Sequence, residues 1–552
     1  MTPDPIKLAG DSALLLELGP ATIDPALNAR AIAVARAIWR RGLPGVRDVV
    51  PTFRSVAVFF DPLSTDVPAV EAALREAADV PPVNESATTI DIPVVYGGAA
   101  GPDLASVADR AGCTPEAVVE RHAGKSYRVY MLGFLPGFPY MAHVDPTIAA
   151  PRHATPRLRV AGGSVGIAGV QTGIYPRESP GGWQIIGRTP SAVFDAARTR
   201  PALLAPGDRV RFVATSEPAH AIASSAGPGQ NQAGVPAQPR QTTATGRRVT
   251  VLRPGMLTTV QDRGRWGHQW LGVSVSGPMD PSAHRLANLI VGNPSDAATL
   301  EATIVGPELR IEQETRVVVT GGDLRATVDG ADVTLCAAVR CRAGSVLGFG
   351  ERRAGSRAYI AFDGGIATTP VLSSRATHPV SGLGGLSGRA LEAGDQLPLN
   401  HGQTSNRAAA QIFPSLPAGG ARLRVLPGPQ ADHFEPAALE ALQRTRFTIS
   451  LQSDRMGYRL LGGVIGNHVR REMISDVTFA GGVQIPPSGD PILLMADRQT
   501  TGGYPQLAIV ITADLPLAGQ LGPGDWIEFE VCTRSDALAA LVGAEGKLLA
   551  VR

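Results

Sequence analysis

At 552 residues the chain is long enough for three or four domains with full cores. Lys and Arg number 51 against 49 Asp and Glu, a balance that gives no strong field for nucleic acid or an anionic membrane. With 63 Gly and 46 Pro beside 18% charged residues, the composition points to strands joined by tight turns.

The four cysteines, Cys113, Cys336, Cys341 and Cys532, form no Cys-x-x-Cys pair and read as reduced thiols. No basic-then-apolar leader and no apolar run of membrane-spanning length occurs in the sequence, so the expectation is a soluble cytoplasmic protein.

In chain order, residues 1–96 read as a small α+β unit of ferredoxin-like type. Ala13 to Leu18 is a strand. Asp24 caps a helix with Pro25 at its first position, an apolar face of Leu27, Ala31, Val34, Ala35 and Ile38, and Gly42 at its end. Ser55 to Phe60 is a strand, Pro68 to Ala78 a helix and Thr89 to Tyr96 a further strand.

Residues 97–216 begin with two short helices, Leu104 to Ala111 and Pro115 to His122, and continue as strands and turns. The loop Gly133-Phe134-Leu135-Pro136-Gly137-Phe138-Pro139-Tyr140 is either a hydrophobic ligand wall or a rigid corner. The glycine-rich run 161–169 lacks the Lys-Ser/Thr ending of a phosphate loop and the helix of a dinucleotide fingerprint. Residues 217–247 are Ser, Ala, Gly, Gln, Pro and Thr without apolar period, a flexible linker that looks like the join of two genes. Residues 248–402 form a β-rich unit with a helix capped by Asp280, 403–420 a second Gly/Pro-rich join, and 421–552 a final β unit.

That last unit contains Asp497-Arg498-Gln499-Thr500-Thr501-Gly502-Gly503-Tyr504-Pro505 between two apolar runs. Alone, such a stretch reads as a charged turn. Gln171-Thr172-Gly173-Ile174-Tyr175-Pro176 repeats its Gln-Thr and Tyr-Pro, and each copy is followed by an apolar run and then by Pro-Gly-Asp before an alternating strand (206–213 and 523–530). The spacing implies a duplicated β domain and one composite site between the copies. Three Asp-Arg pairs, Asp262-Arg263, Asp454-Arg455 and Asp497-Arg498, lie on expected loops. Arg suits bidentate contact with carboxylate or phosphate. The histidines show no zinc spacing, and Gly-Gly-Ser-Val-Gly at 162–166 lacks the strand-to-helix setting of a nucleophile elbow.

Residues 127–213, with Arg-Val-Tyr-Met-Leu-Gly-Phe-Leu-Pro-Gly-Phe-Pro-Tyr, Gly-Gly-Ser-Val-Gly-Ile-Ala-Gly-Val-Gln-Thr-Gly-Ile-Tyr-Pro and Pro-Gly-Gly-Trp-Gln-Ile-Ile-Gly-Arg-Thr-Pro, resemble the allophanate hydrolase subunit 1 family. Residues 249–530, with Gln-Asp-Arg-Gly-Arg, Ser-Gly-Pro-Met-Asp, Ser-Asp-Arg-Met-Gly-Tyr-Arg-Leu and Ala-Asp-Arg-Gln-Thr-Thr-Gly-Gly-Tyr-Pro, resemble subunit 2. One departure is Ile474-Ser475-Asp476-Val477, where that family has Ile-Ser-Glu-Gly.

The resemblance implies a mainly β protein with α+β parts and cyclophilin-like β-barrels in both halves. It also implies the B and C subunits of an ATP-dependent 5-oxoprolinase in one chain, working with a separate 5-oxoprolinase A subunit, ATP and Mg2+ on a small lactam. Two alternatives come with it: the carboxyltransferase part of a urea carboxylase, although no Ala-Met-Lys-Met biotinylation tetrapeptide is present, and an inhibitor of a sensor histidine kinase. Self-association is left open. Under the first reading, Arg498, Asp497, Arg455, Asp454, Asp262 and Arg263 are the candidate catalytic residues. Phe138, Gln171, Thr172, Tyr175, Gln499, Thr500 and Tyr504 are the candidate substrate-binding residues.

Overall fold

The computed structural model describes residues 5–79, 88–216, 246–402, 416–466 and 473–550. The expected linker 217–247 and join 403–420 therefore fall, apart from their last residues, outside the described residues.

The amino-terminal unit is an antiparallel sheet in the order Ile6–Leu8, Ala13–Glu17, Ser55–Phe60, Val46–Pro51, with helices Pro25–Arg41 and Val67–Asp79 on one face. Asp24 Oδ1 accepts the Ala26 N–H at 2.7 Å, Pro25 opens the first helix, and Gly42 closes it at φ 57°, as the sequence requires. Ala31, Val34, Ala35 and Ile38 pack against Leu14, Leu16, Val56 and Val58. The opposite face of the sheet is covered as well: Leu15, Val50, Ala57 and Phe59 meet Val477, Phe479 and Ile509 from the carboxy-terminal part. The departure at Asp476-Val477 lies in this interface, where Ser55 Oγ donates to Asp476 at 2.6 Å and Val477 is buried.

Thr89–Tyr96 is a strand, as expected, but it leaves this sheet. It runs parallel to Arg209–Ala214 and antiparallel to Gln184–Arg188 in the first barrel. Side-chain alternation identifies a strand without naming its partner, and the amino-terminal sheet ends instead on Ile6–Leu8, paired with Ala13–Glu17.

Two closed barrels of seven strands follow. Around the first, the order is Gln171–Ile174, Pro139–Ala142, Ser126–Leu132, Arg209–Ala214, Thr89–Tyr96, Gln184–Arg188, Ser164–Ala168. Around the second it is Ile492–Leu494, Gly457–Leu461, Phe447–Ile449, Trp526–Val531, Gly420–Pro427, Gln506–Val510, Gly482–Gln484. Matched by position in the chain, the two circuits are the same, each with one parallel pair, Thr89–Tyr96 with Arg209–Ala214 and Gly420–Pro427 with Trp526–Val531. Closure leaves no open edge. The inward residues, among them Val129, Val165, Ile186 and Phe212 in one barrel and Leu423, Leu460, Leu493 and Phe529 in the other, form the two cores.

The duplication fixes which sequence matches are real. The two Pro-Gly-Asp turns are equivalent: Gly207 and Gly524 sit at φ 101° and 88°, and Asp208 and Asp525 each accept, at 2.8 Å, the N–H of the residue three positions back. The Gln-Thr…Tyr-Pro match is out of register. Gln171 opens a strand whose counterpart is Ile492–Leu494, whereas Gln499 and Thr500 lie beyond that counterpart. In the barrels' own register Gly181-Gly182-Trp183-Gln184 stands opposite Gly502-Gly503-Tyr504-Pro505-Gln506. Each segment enters through a small two-stranded ribbon. Each ends on a glutamine whose amide donates to a backbone carbonyl, Pro151 at 2.9 Å and Val477 at 3.0 Å.

Between the barrels in sequence lies a two-sheet sandwich. Val260, Leu300, Val317, Val319 and Ile360 of a five-stranded sheet pack on Val249, Val251, Leu309, Ile311, Leu347 and Leu397 of a six-stranded one. Helix Pro281–Val291, capped by Asp280 as expected, covers the outer face of the five-stranded sheet. Among the described residues no helix is long and apolar enough to cross a membrane.

Candidate functional site

The loop between the barrel strands Ile492–Leu494 and Gln506–Val510 is where the packed units meet. Its backbone is tied to a turn of its own barrel, the Met495 and Asp497 N–H groups donating to the Met456 and Arg455 carbonyls at 3.0 and 2.8 Å. Asp497 and Arg498, adjacent in sequence, enter different networks.

Asp497 is 2% exposed, Arg455 4% and Glu301, from the sandwich strand Thr299–Thr303, 1%. Arg455 Nε and Nη2 donate to the two Asp497 carboxylate oxygens at 2.8 and 3.0 Å, Nη2 also to the Gly277 carbonyl at 2.6 Å, and Nη1 to Glu301. Ser276 Oγ donates to Asp497 at 2.6 Å, and His378 Nε2 lies 3.4 Å from the Asp497 carbonyl oxygen. Burial alone would raise the Asp497 carboxyl. The Arg455 charge, His378 and the hydrogen bonds from Arg455 and Ser276 outweigh it and hold that carboxyl below its ordinary range. Burial likewise opposes the Arg455 charge, but Asp497 and Glu301 more than offset it. Burial lowers His378, against the opposing charge of Asp497. The second Glu301 oxygen accepts from Tyr359 Oη at 2.6 Å and from the Met279 N–H at 2.8 Å, which anchors the start of helix Pro281–Val291.

Arg498 points toward the amino-terminal unit. Its Nη2 donates to Gln269 Oε1 at 2.9 Å and its Nε to the Thr478 carbonyl at 3.4 Å. Burial lowers the guanidinium to about 10, opposed by the charge of Asp48. Asp48, on the edge strand Val46–Pro51, accepts the N–H groups of Gly267 and Gln269 at 2.9 and 3.2 Å, and burial raises its carboxyl to about 6. The first barrel reaches the same loop through Phe134, whose N–H donates to Thr501 Oγ1 at 3.0 Å.

The remaining expected residues divide clearly. Asp454 is an exposed turn residue whose carboxylate accepts the Met456 and Gly457 N–H groups at 2.8 and 3.3 Å. Asp262 is buried and pins two loops, accepting from Ser374 Oγ at 2.6 Å and the Gly264 N–H at 3.0 Å. Arg263 is exposed, and Arg265 is the arginine that points inward, 1% exposed and donating to the Ala376 carbonyl at 2.6 Å. Gln499 is half-buried, Thr500 is buried with its hydroxyl unpartnered, and Tyr504 is 42% exposed.

In the first barrel, Thr172 Oγ1 meets Gly166 O at 3.0 Å and His122 Nε2 at 2.9 Å, while Gln171 keeps an unpartnered buried oxygen. Phe138 stacks edge-on against Tyr175, Tyr140 and Trp183 with ring centroids 5.0–5.3 Å apart. The aromatic loop is thus a rigid packed corner, and Phe138 and Tyr175, each 1% exposed, present no free surface. Among the described residues no hydrogen bond joins Gln171 or Thr172 to Gln499 or Thr500. The composite site expected between the two Gln-Thr copies is replaced by a junction of Phe134 with Thr501 and of Asp497 with Arg455 and Glu301.

Glu301, Ser276, His378, Gln269 and Asp48 were not legible as site residues. Glu301 alone carried a signal, a carboxylate in the middle of an otherwise uncharged strand. All three Arg455 nitrogens have protein acceptors, so this network holds the loop in shape and leaves no free guanidinium for a transferring phosphoryl group. Its donor set does not fit a triphosphate and its magnesium ion. Among the described residues no group of three or more His, Cys, Asp or Glu side chains is placed to hold a metal.

Comparison with known proteins assigns the two parts. Residues 5–204 match the carboxyltransferase domain, subdomain C and D, and residues 271–531 match subdomain A and B. The carboxy-terminal part is 39% identical over 292 residues to the C subunit of 5-oxoprolinase from Escherichia coli K12, covering 53% of this chain and 94% of that protein. The amino-terminal part is 43% identical over 216 residues to the B subunit of 5-oxoprolinase from Escherichia coli O157:H7, covering 38% of this chain and 95% of that protein. The crystal structure of TTHA0988 superposes with a TM-score of 0.81 at 36% identity, covering 94% of this chain and 99% of that one. The urea carboxylase of Kluyveromyces lactis superposes with a TM-score of 0.51 at 30% identity, over 55% of this chain and 29% of that one. The chain belongs to the carboxyltransferase-domain family of the 5-oxoprolinase B and C subunits, with a B-like and a C-like part joined in one polypeptide.

Proposed function

We propose that this chain is the joined B and C component of an ATP-dependent 5-oxoprolinase, opening 5-oxo-L-proline to L-glutamate with a separate A subunit. The observation that carries the reading is that each part spans nearly the whole of one subunit of that enzyme. The junction geometry supports it: Phe134 of the B-like part donates directly to the C-like loop that Arg455 and Glu301 fix from within, and Asp48 of the B-like part holds the Gln269 backbone, whose side chain accepts from Arg498 of that loop.

A lactam carbonyl is a poor electrophile, and phosphoryl transfer from ATP to its oxygen turns that oxygen into a leaving group. In this chain Arg455, Asp497 and Arg498 position the loop, and Gln499, Thr500 and Tyr504 present its polar groups to the lactam. ATP and its Mg2+ enter as substrate with the A subunit, because the Arg455 guanidinium of the junction is committed to protein partners through all three nitrogens.

A second reading, the carboxyltransferase part of a urea carboxylase, is favoured by the likeness of this chain to the Kluyveromyces lactis enzyme. Incubating the purified chain with the A subunit, Mg-ATP and 5-oxo-L-proline, and separately with urea, bicarbonate and a biotinylated carrier, decides between them. Glutamate formed in step with ADP is expected. Carboxylation of urea without glutamate would overturn the proposal.

A further inference from the structure

A cleft of about 230 Å³ opens between the amino-terminal unit and the first barrel, away from the junction loop, with Lys125, Ser126, Arg128, Tyr130, His143 and Arg209 on its walls. We propose that it is a binding site for a small oxyanion, a carboxylate or a phosphate. Three cations share the cleft, and among the described residues none of them forms an ion pair with a carboxylate. Arg128 is anchored through Nε to Asn28 Oδ1 at 2.9 Å, and that asparagine, 0% exposed, also donates to the Thr52 and Tyr130 carbonyls at 2.9 Å. The anchor leaves both terminal nitrogens of the Arg128 fork without a protein acceptor among the described residues, in the geometry that binds carboxylate or phosphate bidentately. Arg209 Nη1 reaches only the Ser126 hydroxyl, at 3.3 Å.

The second observation is Tyr130. Its ring is 0% exposed and its hydroxyl has no hydrogen-bond partner, a costly state for a buried donor. The charges of Arg128 and Arg209, both on the cleft wall, act on that hydroxyl. The acids nearby are Asp24, which faces Tyr130 and caps its own helix, and Asp145, which faces Arg121 and Lys125. His143 is held by the Ile23 carbonyl, 3.0 Å from its Nε2.

A second cationic cleft, of about 180 Å³ and lined by Arg157, Arg159 and Arg188, differs in the feature that matters. There Arg157 pairs with Asp103 at 2.6 Å and Arg159 with Glu178 at 2.7 Å, so its charge is largely neutralised. The size of the Lys125–Arg209 cleft, below the roughly 300–1,000 Å³ of sites for drug-sized ligands, suits a single small anion. The proposal stands apart from the reaction assigned above.

Calorimetric titration of the full chain with inorganic phosphate and with acetate, against chloride at matched ionic strength, tests the site and separates phosphate from carboxylate. One of the two is expected to bind saturably. Arg128→Gln should weaken it about tenfold or more and Tyr130→Phe severalfold, with circular dichroism unchanged, and Arg159→Gln in the other cleft should have no effect. Should Arg128→Gln misfold through loss of the Asn28 contact, the exposed Lys125→Gln gives the same reading, with severalfold weaker binding expected. No binding above chloride, or binding undiminished in Tyr130→Phe and Lys125→Gln, would overturn the proposal.

Discussion

At the scale of single residues, the junction depends on charges that are buried and paired. Removing one partner of such a pair leaves an uncompensated charge. Arg455→Met strands Asp497 and Glu301 together and should cost about 3–5 kcal/mol, seen as a large fall in melting temperature. Arg263→Ala, two residues from the buried Arg265 but itself exposed, should stay within about 0.5 kcal/mol of the parent; equal effects would refute the assignment of Arg455 to a buried network. Asp48 gives a pH prediction of defined sign. Its folded pKa of about 6 lies above the ordinary 3.8, so its contribution to stability is full below about pH 4 and is lost as pH rises through 6. The loss is on the order of 3 kcal/mol. Asp48→Asn retains an acceptor for the Gly267 and Gln269 N–H groups but does not titrate. Its melting temperature, relative to the parent at the same pH, should therefore rise between pH 4 and pH 7. A constant difference across that range would show that Asp48 is not raised.

At the scale of elements, the first barrel touches the junction loop through a glycine with no room beside it. A Cβ on Gly133 would stand 2.1 Å from Thr501 Oγ1 and 2.7 Å from its Cγ2. Gly133→Ala should cost about 1–3 kcal/mol, as overpacking does, and clearly less when it is added to Thr501→Gly, a variant that has already lost the Phe134 hydrogen bond but has room for the methyl group. Strictly additive losses in the two changes would mean that the two loops do not abut. Much at this scale was legible in the sequence, because it is written in local chemistry: the Asp24-Pro25 and Asp280-Pro281 helix starts, the Gly42 stop and the Pro-Gly-Asp turns. What was not legible depends on pairing. Equivalence between the barrels is set by strand register, and letters alone aligned Gln171 with Gln499 across different strands. Thr89–Tyr96 looked like the last strand of the first unit because a strand carries no label for its partner. The pairing register slips between Val46 and Asp48. A bulge of this kind re-aims side chains, and the sequence shows Asp48 only as one acid in a strand. Arg265 and Arg263 differ only in which one the loop turns inward.

At the scale of the whole molecule, the B-like and C-like parts are joined by far more than a linker. Phe59 packs 5.4 Å from Phe479 and 6.4 Å from Trp266, Gly137 donates to the Leu271 carbonyl at 2.8 Å, and Asp11 accepts from the Thr512 hydroxyl at 2.6 Å. An apolar, hydrogen-bonded interface of this kind should persist without covalent connection. Co-expressed pieces 1–216 and 248–552 are therefore expected to co-purify. The same pieces give the most direct test of the central claim, that the activity belongs to the two parts held together by this junction. Glutamate production from 5-oxo-L-proline is measured with the A subunit and Mg-ATP for the intact chain, for the two pieces together and for each piece alone. The account predicts comparable rates for the intact chain and the paired pieces, and none for either piece by itself. Full activity in one piece alone, or none in the intact chain, would contradict it.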